Sequence, residues 1–128
     1  MKLLLDTHTF IWWDSQPGNL SAKALEFCKD KTNTLIVSVA SIWEMQIKAQ
    51  LGNLTLNMPL AEIIESQRQN NKIQILPVEI EHVLAINQLP LHHKDPFDRI
   101  LIAQALTENV TLLSKDPEFS KYPVTVIW

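Results

Sequence analysis

A short apolar segment that ends in a carboxylate constrains the fold of this chain more than any other feature. Three leucines at positions 3–5 are followed at once by Asp6 and Thr7. An unbroken apolar run, rather than an alternating one, is typical of a strand covered on both faces, as at the centre of a parallel sheet. Asp6 would then lie at the carboxyl end of that strand, the edge where ligands bind in open α/β sheets. Alternatively, Asp6 only caps the helix that follows.

The rest of the chain alternates predicted strands with predicted helices. Further strands are predicted at 34–38, 73–78, 110–114 and 124–127, and helices at 7–14, 22–29, 39–51, 59–69, 79–88 and 99–109. This alternation predicts one α/β domain over residues 1–128, with a central parallel sheet of four to five strands, right-handed crossovers and helices on both faces. The helices between the second and third strands would form a small helical arm.

Length and composition narrow the class of protein. The chain has 128 residues, 46% of them hydrophobic, which is enough for one hydrophobic core. It has no run of about 18 apolar residues, and its first residues meet a carboxylate too early for a signal peptide, so we expect a cytoplasmic protein. The single Cys28 excludes an internal disulfide. The net charge of −3 lacks the basic footprint of nucleic-acid binding, although cations held by clustered carboxylates would attract phosphate.

Four acidic residues are predicted to meet at one edge of the sheet. Asp6 follows the first strand, Glu44 comes shortly after the second, Asp98 opens the helix before the fourth, and Asp116 follows the fourth. Clustered carboxylates raise one another's pKa unless cations keep them ionised. The ligands would be hard oxygens without a thiolate, a set that favours Mg²⁺ or Mn²⁺.

Each of these acids also has a purely structural interpretation. Glu44 lies three residues after Ser41, the spacing of a capping box. Asp95 as N-cap, with Asp98 at the third helical position, would explain both of those residues locally. Asp116 precedes a proline and could start a turn. Their joint placement at one sheet edge is what favours a shared site.

Other polar and aromatic residues are weaker candidates. His92 and His93 could be metal ligands or a proton shuttle, but without a matching Cys or His cluster elsewhere a solvated loop is the favoured interpretation. Arg99 and Lys115 lie near the predicted edge and could contact phosphates. The four tryptophans are interpreted as core or interface anchors rather than base-stacking platforms.

With these residues in place, the sequence resembles the PIN-domain ribonucleases, and among them the VapC-like toxins of bacterial toxin–antitoxin pairs. Each matching motif is short, but together they span nearly the whole chain in a specific order. The matching segments are 3–8 (LLLDTH), 38–44 (SVASIWE) with Ile47 and Lys48, 95–99 (DPFDR) with 102–105 (IAQA), and 113–116 (LSKD).

The resemblance implies a Mg²⁺- or Mn²⁺-dependent endoribonuclease, with RNA as substrate and Asp6, Glu44, Asp98 and Asp116 as the acidic set. Ser114 matches a position where the family carries a small hydroxyl residue beside the metal site. The resemblance also implies a homodimer that is silenced by an antitoxin, whose C-terminal segment crosses the active-site groove.

Two other functions remain open from the sequence. A phosphatase of the haloacid dehalogenase type also places an aspartate after its first strand, but it would need a second acid where this chain has His8. A non-cleaving module that binds RNA or a protein through a PIN-like fold is the other alternative. Metal-dependent cleavage distinguishes a nuclease from that module.

Overall fold

A parallel sheet with the first strand at its centre organises the computed structural model, which describes residues 1–92 and 94–128. The sheet has five strands in the order β3-β2-β1-β4-β5, and every neighbouring pair is parallel. The predicted parallel α/β domain is therefore confirmed. The strands are β1 (Lys2–Leu5), β2 (Thr34–Ser38), β3 (Gln74–Leu76), β4 (Thr111–Leu113) and β5 (Val126–Ile127).

The register of β1 explains why its apolar run is unbroken. Leu4 pairs with Ile36 of β2 and with Leu112 of β4, and all three belong to the core on one face of the sheet. Leu3 and Leu5 belong to the core on the other face, because alternate side chains of a strand point to opposite faces. Both faces of β1 are thus covered.

Within residues 1–92 and 94–128 the chain forms six α-helices, and helices cover both faces of the sheet, as predicted. One face packs against α1, α2, α3 and α4, and the other packs against α6. The helices are α1 (Thr7–Ser15), α2 (Ala22–Lys29), α3 (Val39–Gln50), α4 (Leu60–Asn70), α5 (Ile80–Ala85) and α6 (Pro96–Glu108).

Several boundaries differ from the predicted ones for local reasons. Helix α6 begins three residues earlier than predicted, because Asp95 caps it and Pro96 occupies its first turn. Strand β3 ends at Leu76, before Pro77, which has no N–H to donate to a neighbouring strand. The end of the predicted helix 79–88 is a 3₁₀ turn at Ile86–Gln88. Two further 3₁₀ turns occur at Pro17–Asn19, which was not predicted, and at Pro117–Lys121, where a turn that starts at Asp116 was one of the two interpretations.

Cys28 and the helices give two simple checks of the sequence analysis. Cys28 is buried, and burial raises the pKa of its thiol to about 12, so the thiol stays protonated at neutral pH. No helix within positions 1–92 and 94–128 is long and apolar enough to cross a membrane.

Candidate active site

One pocket at the carboxyl ends of the central strands collects all four predicted acids. Its volume is about 440 Å³. Each acid arrives from a different segment: the end of β1, the middle of α3, the first turn of α6 and the loop after β4. The acidic residues that line this acidic pocket are Asp6, Glu44, Asp95, Asp98 and Asp116.

Asp6 is only 6% exposed, and each of its carboxylate oxygens accepts a hydrogen bond. Oδ1 accepts from the backbone N–H of Thr9 at 2.9 Å, so Asp6 is the N-cap of α1. Oδ2 accepts from the hydroxyl of Ser114 at 2.5 Å, across 108 residues of sequence. Asp6 therefore caps a helix and lines the pocket at once, and the two interpretations of this residue are compatible.

Glu44 is held from two sides. The Thr7 hydroxyl donates to Oε1 at 2.6 Å, and the Lys48 ammonium lies 2.7 Å from Oε2. The alternative of a capping box is excluded, because the N-cap of α3 is Ser38 and Ser41 lies inside the helix. With no capping role to explain it, a glutamate that is 6% exposed is positioned by these contacts toward the pocket.

The loop after β4 is fixed through one hydroxyl group. Ser114 Oγ donates to Asp6 and accepts the backbone N–H of Asp116 at 3.1 Å. Oδ1 of Asp116 accepts the backbone N–H of Glu118 at 2.9 Å, which confirms that Asp116 starts a turn. As with Asp6, this local role coexists with a place in the acidic pocket.

Asp95 and Asp98 both line the pocket, and Asp95 in addition caps helix α6. The Asp95 carboxylate accepts the backbone N–H groups of Phe97 and Asp98 at 2.8 and 3.1 Å, so its predicted capping role is confirmed. The pKa of Asp98 is raised to about 7, first by burial and then by the negative charges of its neighbours. Those neighbours are Asp95, Asp6, Glu44 and Asp116.

The basic candidates are not equivalent. Lys48 and Lys115 line the acidic pocket. The guanidinium of Arg99 instead donates to the carbonyl oxygens of Pro90, Ile86 and Leu89, at 3.1 to 3.4 Å, and ties the start of α6 to the preceding loop. Among the residues that the structure describes, Arg99 is not part of the pocket lining.

The histidine pair is only partly described. The ring of His92 contacts the ring of Tyr122 edge-on, with 5.3 Å between the centroids. His92 is not among the described residues that line the acidic pocket. His93 lies outside the described residues, so its predicted role stays a prediction.

Sequence reasoning missed three residues of helix α1 that line the pocket. Thr7, His8 and Trp12 all do so. Thr7 directly follows Asp6, and His8 and Trp12 are four residues apart, the spacing that places two side chains on one helix face. That spacing was the available signal, but the apolar neighbours of Trp12 suggested the core.

Oxygen atoms dominate the donor set that a metal would meet here. In the ranges 1–92 and 94–128, no three His, Cys, Asp or Glu side chains converge closely enough to form a complete metal site. Mg²⁺, however, keeps several waters and is usually bound through one or two carboxylates together with substrate phosphates. Hard oxygen donors whose mutual repulsion contributes to the raised pKa of Asp98 fit such a cation.

Beside the acidic pocket lies a second, apolar concavity of about 430 Å³ between α3, α5 and the start of α6. Trp43 is 62% exposed there and meets the Phe97 ring edge-on, with 5.3 Å between centroids. We call it the apolar groove. It is lined by Val39, Ala40, Trp43, Val78, Val83, Pro96, Phe97 and Ile100.

Comparison with known sequences identifies relatives over almost the full chain. The PIN domain family matches residues 3–124. A curated protein from Mycobacterium tuberculosis, Ribonuclease VapC22, is 26% identical over 130 residues, which cover 97% of each chain.

Solved structures share the fold at low sequence identity. VapBC2 from Rickettsia felis, bound to a promoter DNA fragment, gives a TM-score of 0.73 at 16% identity, covering 99% of this chain and 98% of that one. A toxin–antitoxin complex from Klebsiella pneumoniae gives 0.61 at 15% identity, covering 98% and 96%.

Proposed function

The chain belongs to the PIN-domain family, and from this premise we propose that it is an endoribonuclease that depends on Mg²⁺ or Mn²⁺. The relative named Ribonuclease VapC22 supports an RNA substrate. We assign the catalytic and metal-binding roles to the same four residues, Asp6, Glu44, Asp98 and Asp116.

The single observation that carries this proposal is the convergence of those four acids on one pocket from four separate segments. The capping roles of Asp6 and Asp116 would not require this convergence, because the caps of unrelated helix and turn starts need not share a cavity. The four carboxylates also interact electrostatically, because the negative charges of the other three contribute to the raised pKa of Asp98. Such a concentration of negative charge is stable at neutral pH when it holds a cation.

The protein's own residues prepare this site by fixing the acids in place. A divalent cation bound there would activate a water molecule and stabilise charge on the phosphoryl oxygens. The hydroxyl of Ser114 and the N–H of Thr9 hold both oxygens of Asp6, and Thr7 holds Glu44. Preformed contacts of this kind reduce the reorganisation that would otherwise accompany the reaction. We assign to Lys115 a contact with a substrate phosphate, because it lines the pocket, and to Arg99 the anchoring of the loop before α6.

The test is cleavage of a mixed pool of small RNAs by purified protein free of any partner. We expect cutting with Mn²⁺ or Mg²⁺ and none with EDTA, and activity should return when the metal is added back. Cutting that persists in EDTA would contradict the metal dependence. No cutting with either metal, from protein that is folded by circular dichroism, would contradict the nuclease assignment.

A module that binds RNA without cutting it is the second candidate, because His8, Trp12 and Lys115 line the same pocket and can contact bases and phosphates without a cation. If the protein binds RNA without cutting it, titration with labelled RNA would show binding that neither Mn²⁺ nor EDTA changes. Metal-dependent turnover would exclude this candidate.

We also propose that the chain acts as the toxin of a toxin–antitoxin pair, with an antitoxin protein as its partner. The support comes from structural neighbours that are complexes of this kind, including the one from Klebsiella pneumoniae. Expression of the chain alone should stop bacterial growth, and Asp6→Asn should relieve the arrest. Normal growth at a confirmed level of intact protein would contradict the toxin role while leaving the nuclease assignment untouched.

A homodimer is proposed as well, and the apolar groove supports it. Large apolar side chains left in water, here Val39, Trp43 and Val83 among others, are typical of protein-binding surfaces. Light scattering on the antitoxin-free protein should give twice the chain mass. A monomer at tens of micromolar concentration would contradict this proposal.

A further inference from the structure

We propose that His8 and Trp12 form a stacking platform for one unpaired base of the RNA, directly beside the carboxylates. This inference rests on the proposed ribonuclease function and names the form in which the substrate enters the same pocket. It assigns a specificity role to Trp12, which the sequence indicated as a core or interface anchor, and to His8, to which the sequence assigned no role in binding.

The platform is built from one face of α1 and supported from behind. His8 and Trp12 lie four residues apart, and their ring centroids are 5.8 Å from each other. The indole of Trp128, at the end of the chain, lies 6.0 Å from Trp12 on a tilted plane. Trp12 also packs against the core, while His8 is exposed. The Trp12 ring is therefore held in place by its packing, and the exposed His8 ring lies against it.

The residues that line the acidic pocket offer two kinds of chemistry. The carboxylates suit cations and, through them, the phosphodiester group. His8 and Trp12 offer aromatic rings, whose faces attract the flat surface of any nucleobase. Lys115 lines the same pocket and forms no ion pair with the residues described, so its ammonium is available to a phosphate. A volume of about 440 Å³ lies in the range of pockets that take small organic groups.

This arrangement restricts the substrate to RNA that is unpaired at the cleavage site. A base that stacks on the protein must leave the stack of its own strand, which a loop or single strand allows more readily than a duplex. Stacking discriminates little between bases because every base has an aromatic face. The platform thus selects for an accessible base rather than for its identity.

The experiment uses short RNAs with one cleavage site, in which each nucleotide around the scissile bond is replaced in turn by an abasic one. The enzyme variants form a matched pair: Trp12→Phe keeps an aromatic face, and Trp12→Leu keeps apolar bulk without one. Circular dichroism and melting temperature establish that both variants fold. The measured quantity is kcat/KM for every combination of enzyme and RNA.

In the wild type we expect one position where loss of the base lowers kcat/KM about 5- to 150-fold, the effect of one stacked base. Trp12→Leu should lower kcat/KM on the intact RNA to a similar extent and should respond little to base removal at that position. Trp12→Phe should keep most of the activity and the sensitivity to base removal. The inference would be overturned if removal of the base lowered kcat/KM by the same factor in Trp12→Leu as in the wild type. It would also be overturned if Trp12→Leu caused no loss of kcat/KM.

A second readout does not need cleavage. Binding of unpaired RNA to Asp6→Asn should quench tryptophan fluorescence, and the quench should shrink when Trp12 is replaced by Phe in the same background. A hairpin that buries the corresponding base in its stem should quench less than the single strand. An unchanged quench without Trp12 would overturn the platform whether or not the protein cleaves RNA. Failure of every RNA to be cut with metal would count against the proposed function instead.

Discussion

Helices α3 and α6 each carry an acid and an aromatic residue side by side, and the two kinds of side chain line different concavities. Glu44 and Asp98 line the acidic pocket, whereas Trp43 and Phe97 line the apolar groove. Glu44 is 6% exposed and Trp43 is 62% exposed, although they are adjacent in sequence. The same two helices therefore build two surfaces with opposite chemistry.

The difference lies in how complete each surface is within one chain. In the acidic pocket the chain supplies hydrogen-bond donors for its own acids, such as Thr7 for Glu44 and Ser114 for Asp6. The apolar groove leaves Trp43 largely in water, with Phe97 as its ring partner. We infer that the pocket is organised before any ligand arrives, whereas the groove is stabilised by burial against another protein.

The largest expected effect comes from Asp6→Asn. An asparagine side-chain oxygen can still accept a hydrogen bond from the N–H of Thr9 as an N-cap, and the Ser114 hydroxyl can rotate so that its oxygen accepts a hydrogen bond from the new amide N–H. The fold should therefore survive while the charge is lost, and we expect RNA cleavage to fall at least about 100-fold. Initial rates on one labelled RNA at saturating Mn²⁺ measure the loss.

The matched control is Asp30→Asn, the same chemical change at an exposed turn at the opposite end of the sheet. It should cleave at the wild-type rate. If Asp6→Asn keeps full activity, Asp6 is not a required ligand, and the catalytic role of the acidic pocket must be reassigned.

A smaller effect, confined to the apolar groove, is expected from Trp43→Ala. Large aromatic residues at the centre of an interface often contribute 2 kcal/mol or more, so the dimer dissociation constant should rise roughly 30-fold. Because Trp43 is 62% exposed in one chain, the stability of the monomer should change little. Sedimentation velocity across a concentration series gives the constant.

Leu51→Ala is the control for that change, because Leu51 is 69% exposed and lies beyond the end of α3, outside the residues that line the groove. Equal weakening by both substitutions would show that the groove is not the dimer contact. Such a result would remove the contrast between the two surfaces.

Within the pocket, we expect a more modest effect from Thr7→Val. Valine has nearly the shape of threonine but cannot donate a hydrogen bond to Glu44. Residues that orient a metal ligand typically contribute 10- to 100-fold, and we expect the lower figure because Lys48 still contacts the other oxygen of Glu44. Thr7→Ser, which retains the hydroxyl, should restore most of the rate. Equal losses in both variants would mean that Thr7 acts only through packing.

The sequence was sufficient to predict the architecture, because local patterns of apolar and polar residues indicated each strand and helix. The apolar run before Asp6 predicted a strand covered on both faces, and that strand is the centre of the sheet. The meeting of four acids in one pocket followed from the rule that the carboxyl ends of parallel strands share an edge.

What the sequence could not provide depends on contacts between distant segments. Thr7 and Glu44 are 37 residues apart, and nothing in either neighbourhood predicts their hydrogen bond. Arg99 was a candidate phosphate ligand because of its position near the predicted sheet edge. Its three carbonyl partners come from a preceding loop, and the sequence does not indicate them. The sequence presented Asp6 and Asp116 as either caps or site residues. A carboxylate has two oxygens, however, and each of these residues both accepts a capping hydrogen bond and lines the acidic pocket.

The smallest expected effect concerns the stability of the acidic pocket without metal, tested with Asp98→Asn. In the folded chain the pKa of Asp98 is about 7, against an ordinary value of 3.8, because of burial and the neighbouring acids. Below about pH 4 this carboxyl is protonated in both the folded and the unfolded chain, so it does not affect stability. Between about pH 4 and pH 7 only the unfolded chain releases the proton, so the free energy of unfolding falls as pH rises and then levels off.

Asparagine cannot ionise, so Asp98→Asn should stabilise the metal-free chain at pH 8 by about 1–2 kcal/mol, a value reduced for solvent screening of a partly exposed group. That corresponds to an increase in melting temperature of a few degrees at pH 8, with little difference at pH 4. Mg²⁺ at pH 8 should raise the melting temperature of the wild type more than that of the variant, because the cation offsets the repulsion that the substitution has already reduced. If the melting temperatures of the wild type and Asp98→Asn differed by the same amount at pH 4 and pH 8, repulsion among the acids would not destabilise the folded chain. The contrast between the acidic pocket and the uncharged apolar groove would then rest on hydrogen bonding alone.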